Sequence, residues 1–258
     1  MSRSDRPAAG RVLLTGGSGR LGRELLRLLP SIVAPPHAAL DITRPESIEG
    51  QIERTRPGLI VHAAAYTDVA GAERDKAACW QTNVVGTRNI VQASLRHGLR
   101  LVHISTDYVF AGTRGMYLED DVPGPVRNHY ALSKLVAEET ARLAPCSLVI
   151  RTSFRDKEFP YPVAYTDLFT SQDYLDVIAP EIALAVRRVH QITDATLHIA
   201  TERKSVFELA RRRRPDVSPG SRRDAAVELP EDISLDTRRW RALRAELAKP
   251  EQGVHGCG

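Results

Sequence analysis

Val12-Leu-Leu-Thr-Gly-Gly-Ser-Gly-Arg-Leu-Gly22 decides how the rest of this 258-residue chain is read. Residues 11–15 form a short apolar run suited to a buried strand, and Leu21, Leu25, Leu28 and Leu29 follow at helical spacing. Between them Gly17, Gly19 and Gly22 satisfy G-x-G-x-x-G, and Gly16, Gly19 and Gly22 satisfy the looser T-G-x-x-G-x-x-G. A strand that turns straight into a helix needs glycine for the turn, for close approach to a pyrophosphate and for helix-on-strand packing. The helix start then presents free N–H groups and a positive dipole end to phosphate. The strand–turn–helix context favours a dinucleotide loop over a plain tight turn. A Walker loop is excluded, because no Gly-Lys-Ser/Thr follows.

Outward from this loop, strands are predicted at residues 31–34, 59–62, 100–105 and 147–151. Helical stretches are predicted at 79–97, ending at Gly98, and at 129–143, stopped near Pro145; Pro45 suits a helix first turn. Strands alternating with helices predict an α/β fold, a doubly wound parallel sheet with right-handed crossovers. After residue 152 the alternation weakens, and proline and aromatic residues crowd 154–169. Helices are expected at 180–188, 205–213 and 236–247, with a strand near 197–200. The expected division is a dinucleotide-binding domain at 1–152 and a mixed segment at 153–258. The latter would form a small substrate lobe with elements returning to the first domain. The tail at 249–258 is expected to be disordered.

Composition narrows the classes. Hydrophobic residues are 42% and charged residues 26%, which excludes collagenous, coiled-coil and wholly disordered chains. Cys79, Cys146 and Cys257 fit no zinc spacing and make no disulfide framework. No apolar run reaches membrane-spanning length and the first residues lack a signal h-region, so a cytoplasmic protein is expected. The net charge of +4 suits an anionic small molecule. Arginine dominates the basic residues but is scattered among acids; the one run, Arg211 to Arg214, reads as a solvated helix end rather than a nucleic-acid patch. His62 and His103 fall in strands and read as core histidines, and Glu119-Asp120-Asp121 as a solvated turn; no metal site is expected. Trp240 is expected to anchor the last helix.

Tyr130-Ala-Leu-Ser-Lys134 places a phenol and an ammonium four residues apart, on one helix face. A free tyrosine titrates near 10. A neighbouring cation lowers that value and lets the phenol exchange a proton with a carbonyl oxygen as hydride moves. The spacing alone is common. Order along the chain adds weight: the glycine loop comes first, then a strand ending in Ser105-Thr106, whose hydroxyls fall where open α/β sheets bind ligands.

These residues resemble the extended short-chain dehydrogenase/reductases, most closely the dTDP-4-dehydrorhamnose reductase branch. The resemblance is carried by Thr15 to Gly22, Leu40-Asp41-Ile42-Thr43, His62-Ala-Ala-Ala-Tyr-Thr-Asp-Val69, Ala72-Glu73, Thr82-Asn83, Ser105-Thr-Asp-Tyr-Val-Phe110, Tyr117-Leu-Glu119, Tyr130 to Lys134 and Arg151-Thr-Ser153. It covers residues 11–153, and Leu235-Asp236-Thr237 resembles a C-terminal motif of the branch. It implies a Rossmann sheet with Thr106, Tyr130 and Lys134 catalytic. Gly16, Ser18, Gly19, Arg20, Leu21 and Gly22 would hold the cofactor phosphates, and Asp41 and Ile42 would lie beside the adenine. Ala64, Ala65, Tyr66 and Thr67 would run along the cofactor, with Tyr130 and Lys134 at the nicotinamide end. Thr106, Asp107, Tyr108 and Phe154 would face the substrate.

The implied activity is NADPH- or NADH-dependent reduction of a 4-keto group on a nucleotide-linked deoxysugar. Its partner is a small molecule, not nucleic acid or a membrane, with a homodimer left open. The chain departs from the branch at Phe154, where tryptophan is usual, and in a shortened stretch before Asp167. The end of the second strand reads Ala34-Pro35-Pro36-His37, with neither acid nor arginine, so NAD and NADP both remain open. Two alternatives stand beside the reductase: an NAD-dependent nucleotide-sugar epimerase or dehydratase, for which Asp107 is the one neighbouring acid, and a non-catalytic NADP-binding regulatory subunit.

Overall fold

The computed structural model describes residues 11–225 and 228–248; the tail expected to be disordered, 249–258, lies outside them. The chain runs β1 (Val12–Thr15), α1 (Arg20–Leu28), β2 (Ile32–Val33), α2 (Pro45–Thr55), β3 (Leu59–His62), α3 (Val69–Arg74) and α4 (Lys76–Trp80). One π-helical turn (Gln81–Val85) leads into α5 (Gly86–His97), β4 (Arg100–Thr106), α6 (His129–Ala141) and β5 (Leu148–Thr152). Then come β6 (Phe154–Arg155), β7 (Val163–Tyr165), β8 (Phe169–Thr170), β9 (Asp173–Tyr174), α7 (Leu175–Arg187), β10 (Thr196–His198), β11 (Lys204–Ser205), α8 (Val206–Arg211), β12 (Ser218–Gly220) and α9 (Arg238–Leu247).

The main sheet has six parallel strands in the order β10-β5-β4-β3-β1-β2. From β1 the chain moves outward to β2 and then returns to the other side as β3, which makes a topological switch at the C-terminal ends of β1 and β3. The doubly wound α/β architecture expected from the sequence is present. Its strands are apolar on both faces because helices cover both. Leu14, Val61, Val102 and Ile150 pack with Leu25, Ile178, Ile182 and Trp240 on one side. Leu13, Ile60 and Leu101 pack with Ile48, Ile52 and Ile90 on the other. Consecutive residues such as Leu13 and Leu14 thus serve opposite cores, as strand alternation requires. Trp240 is buried and donates from Nε1 to Glu181 Oε2 at 3.0 Å, fixing α9 against α7.

The segment after residue 152 divides its work. α7, β10 and α9 complete the main sheet and its first core. β7, β12, β8, β11 and α8 surround a smaller core of Phe159, Ala164, Leu168, Val206 and Val217. These two- and three-residue strands have too little periodicity to be read from sequence.

One surface expectation needs adjustment. Glu119 is buried rather than solvated: its Oε1 accepts from the His198 amide at 3.2 Å, and burial pushes its carboxyl up. Asp120 and Asp121 pair instead with Arg239 and Arg114. The arginine run at the end of α8 is neutralised locally, Arg212 by Asp173 at 2.8 Å and Arg213 by Asp176 at 2.8 Å.

Candidate active site

The glycine loop is shaped by contacts that a side chain would block. Gly16 has φ of 75°, and a Cβ there would lie 2.6 Å from the Ala64 amide nitrogen. A Cβ on Gly22 would strike the Gly16 carbonyl oxygen. Gly19 caps α1 with no side-chain oxygen, so the first amides of that helix keep their donors free. Free amides, a positive dipole end and a backbone cradle suit a pyrophosphate. This is the feature against which a dinucleotide must fit, and the residues present fit it.

A cleft of about 500 Å³ opens at the switch point. Gly16, Ser18, Gly19, Arg20, Leu21, Gly22, Asp41, Ile42, Ala64, Ala65, Thr67, Thr106, Tyr108, Tyr130, Lys134 and Phe154 all line it. Two candidates lie elsewhere. Tyr66 packs its ring with Ala72, Cys79 and Tyr130, behind the cleft wall. Asp107 lines a second cavity of about 520 Å³, walled by Phe159, Tyr161, Tyr165 and Arg155. Tyr108, Ser153 and Gln172 border both spaces, so the two adjoin.

The walls are stitched together by buried polar groups. Thr87 Oγ1 donates to the Asn83 carbonyl at 2.6 Å, so it must accept from His62 Nε2 at 3.0 Å; His62 Nδ1 then accepts from Thr15 Oγ1 at 2.7 Å. This fixes one neutral tautomer, and burial lowers the His62 pKa to about 3. The core placement expected for His62 and His103 is observed, but His103 has both ring nitrogens buried without a partner. Asp41 caps its own loop by accepting from the Thr43 amide at 2.9 Å and hydroxyl at 2.8 Å; burial opposes ionisation, yet these bonds hold its carboxyl below the usual value.

Asn128 starts α6 by accepting from the Ala131 amide at 2.8 Å. Tyr130, Lys134 and Glu138 then share one buried stripe at four-residue intervals. The ammonium–phenol relation differs from the sequence expectation. Burial raises the Tyr130 pKa above its ordinary value, the Asp107 charge raises it further, and a hydrogen bond with Thr106 only partly offsets them. Lys134 Nζ donates to the Ile104 carbonyl at 2.8 Å, and burial lowers its pKa to about 8. The phenol therefore keeps its proton at rest. Thr106 Oγ1 donates to Asp107 Oδ1 at 3.0 Å, and burial lifts Asp107 to about 6 despite the hydrogen bond from Ser153.

Several residues of this site were given no role by the sequence reading, although Asn83 and Ser153 stand in the stretches that carry the resemblance. Glu138 accepts from Ser105 at 2.6 Å and from Arg151 at 2.7 Å, locking α6 to β4 and β5. Its position four residues after Lys134 was the available signal. Asn83 Oδ1 accepts from the Tyr66 amide at 2.8 Å and its Nδ2 donates to Ser133 at 2.9 Å, joining the strand-three loop to α6. It sits in the π turn, a distortion that sequence periodicity does not show and that often marks functional sites. Ser153, Arg155 and Gln172 come from the segment where the alternation had faded.

Comparison with known proteins agrees with this geometry. The family model described as "RmlD substrate binding domain" matches residues 10–213. A dTDP-4-dehydrorhamnose reductase of Aggregatibacter actinomycetemcomitans is 35% identical over 181 residues, 67% of this chain and 61% of that protein. A probable dTDP-4,6-dihydroxy-2-methyloxan-3-one 4-ketoreductase of Streptomyces antibioticus is 40% identical over 153 residues, 56% of this chain and 51% of that one. The matches thus span between half and two thirds of these curated relatives. Among solved structures, a hypothetical dTDP-4-dehydrorhamnose reductase from Sulfolobus tokodaii superposes with a TM-score of 0.78 at 32% identity, covering 90% of this chain and 94% of that one. The Bacillus anthracis dTDP-4-dehydrorhamnose reductase in complex with NADP gives 0.80 at 28% identity, covering 92% and 93%. With the family model matching well over half of its residues, and the glycine loop, Thr106, Tyr130 and Lys134 set around one cleft, the chain belongs to the RmlD family.

Proposed function

We propose that this chain reduces a 4-keto group on a dTDP-linked deoxysugar, using NADPH or NADH. The observation that carries the reading is that one cleft holds both a phosphate cradle and the Thr106, Tyr130 and Lys134 constellation, and adjoins a second cavity of suitable size for a sugar nucleotide. The names of the relatives support the substrate class. The cofactor supplies hydride when bound.

The residues of the chain supply the rest. Gly16, Ser18, Gly19, Arg20, Leu21 and Gly22 hold the phosphates, Asp41 and Ile42 border the adenine, and Ala64, Ala65 and Thr67 line the path between. Tyr66 acts by packing behind Tyr130, not by contact with the cofactor. Lys134 holds the nicotinamide ribose. Tyr130 and Thr106 hydrogen-bond the keto oxygen, and Tyr130 gives it a proton as negative charge develops there. A phenol that holds its proton until that moment suits reduction: the carbonyl carbon gains hydride, the oxygen gains the phenolic proton, and an alcohol leaves. Asp107 accepts from the Thr106 hydroxyl at rest, and that hydroxyl turns its proton to the keto oxygen when the substrate is bound. Phe154 gives the sugar a flat apolar face where the branch usually has an indole.

The test is spectrophotometric oxidation of NADPH and of NADH by the full chain with a dTDP-4-keto-6-deoxysugar. The expected result is stoichiometric conversion of cofactor and keto-sugar. Binding of both without net oxidation, with the sugar epimerised or dehydrated instead, would replace the reductase with the first alternative.

A further inference from the structure

The second cavity contains a cation that makes no ion pair among the described residues. β6 has only two residues, and its side chains alternate as strand geometry demands. Phe154 lines the cleft of the glycine loop; Arg155 lines the second cavity. Parallel pairing with β9, Arg155 opposite Tyr174, fixes this arrangement. The guanidinium carbon of Arg155 sits over the Phe159 ring, 5.2 Å from its centroid. Its Nε is buried and has no hydrogen-bond partner.

Other arginines around the lobe meet carboxylates: Arg151 meets Glu138 at 2.7 Å, Arg203 meets Asp232 at 2.6 Å and Arg213 meets Asp176 at 2.8 Å. Among the described residues no such ion pair forms at Arg155. Asp107 is the acid in the same cavity, and its carboxylate is engaged by Thr106 and Ser153. Arg155 is half-buried, and a guanidinium whose Nε is withdrawn from water with no ion pair around it is unfavourable. A cavity wall is the one place where such a charge can be neutralised by a ligand.

We infer that Arg155 is a specificity-determining residue that receives the diphosphate of the nucleotide-linked substrate. The inference rests on the reading that the chain acts on a nucleotide-linked sugar, and names the residue that makes the nucleotide link necessary. A planar guanidinium fork matches phosphate oxygens in two parallel bonds, and the Phe159 ring holds its plane. The aromatic walls at Tyr161 and Tyr165 offer faces for the base. Free keto-sugars, lacking the diphosphate, leave the charge unpaired and bind poorly.

The experiment is calorimetric titration of the full chain with dTDP and with thymidine, on wild type, R155M and R155K, with NADPH affinity and melting temperature measured on each. Wild type is expected to bind dTDP well above thymidine. R155M is expected to lose roughly 10- to 100-fold in dTDP affinity, the size of a charge-assisted bond, and to bind thymidine as before. R155K recovers part of the loss. Without ligand, R155M should melt at or above wild type, because an uncompensated charge has gone. A merely structural arginine would give the opposite sign. In turnover, R155M raises KM for the nucleotide sugar with little change in kcat.

Unchanged dTDP affinity in R155M overturns the inference, as does absence of dTDP binding to wild type. So does a loss of binding accompanied by a lower melting temperature in both variants. The two readings fail separately. If keto-sugar oxidises NADPH but R155M leaves KM unmoved, this inference falls and the reductase stands. If no keto-sugar is reduced while dTDP binding still depends on Arg155, the reductase falls and the diphosphate site stands.

Discussion

The cleft of the glycine loop and the cavity beside it are nearly equal in volume, about 500 and 520 Å³, yet they are built in opposite ways. The cleft draws on the ends of long, doubly buried strands and on the start of α1, so backbone atoms make much of its surface. Its polar groups are cross-linked, Thr15 to His62 to Thr87 on one side and Ser105 to Glu138 to Arg151 on the other. The cavity draws on two- and three-residue strands around a small core, and aromatic side chains make its walls. A backbone cradle accepts one kind of ligand; a side-chain wall can be changed residue by residue. The difference separates what the fold holds constant from what it is free to vary.

The largest effect expected of a single substitution lies in the cleft. Tyr130→Phe removes the proposed proton donor and should lower kcat by roughly 10²- to 10⁴-fold. dTDP binding in the cavity and NADPH binding should stay within a few-fold, as fluorescence titration would show. Comparable losses in both affinities would mean that the two spaces do not act independently. Next comes Gly22→Ala, whose methyl must displace the Gly16 carbonyl. Overpacking of about 1–3 kcal/mol should weaken NADPH roughly 10- to 100-fold and leave dTDP titration unaltered.

Acid sharpens the same comparison. His62 in the cleft wall and His198 in β10 are both buried neutral, each with its pKa lowered to about 3 by burial. The unfolded chain takes up protons below pH 6.5 while the folded chain does not, so stability is lost as pH falls from 6.5 toward 3. Between pH 7 and 5 each histidine should contribute roughly 2 kcal/mol of loss, read by urea unfolding. Since the two belong to one sheet, a single transition is expected. Two separate transitions would show that the halves unfold apart.

A smaller effect is expected at Glu138, whose charge supports the ammonium of Lys134. The Lys134 pKa is near 8, so kcat/KM should decline as pH rises past that value. Glu138→Gln should move this limb down by about one pH unit, a shift that loss of packing alone would not produce. Smallest of all is Arg20→Ala. The ion pair with Asp156 at 3.1 Å is exposed on both sides, so melting should indicate a change below about 0.5 kcal/mol.

The same contrast explains what could be read before the structure. Long apolar strands, helical leucines and a glycine loop leave periodic or compositional marks, and so the sheet, its order of elements and the cleft residues from Gly16 to Lys134 were legible. The links made by Glu138 and Asn83 were not, because a buried polar link is defined by a partner distant in sequence: Arg151, or the Tyr66 amide. The sign of the Tyr130 shift was misjudged for a related reason. Spacing on a helix placed Lys134 near, but the Ile104 carbonyl that draws its ammonium and the depth of burial belong to other elements. Arg155 lay in a stretch with no period to follow, and its significance is the lack of an ion pair among the described residues, which a one-dimensional pattern cannot display.

The position of β10 has a practical bearing on any attempt to dissect the molecule. It is the outermost strand on the β5 side, and the chain reaches it only after β6 to β9 and α7, with β11, α8 and β12 of the lobe still to come. A fragment ending at residue 153 would leave β5 with a bare row of amides and carbonyls flanked by exposed valine, leucine and isoleucine. Such a border recruits strands from neighbouring chains. The half that carries the glycine loop cannot be prepared as a well-behaved piece, and shortening of this protein is tolerated only where it spares that edge strand.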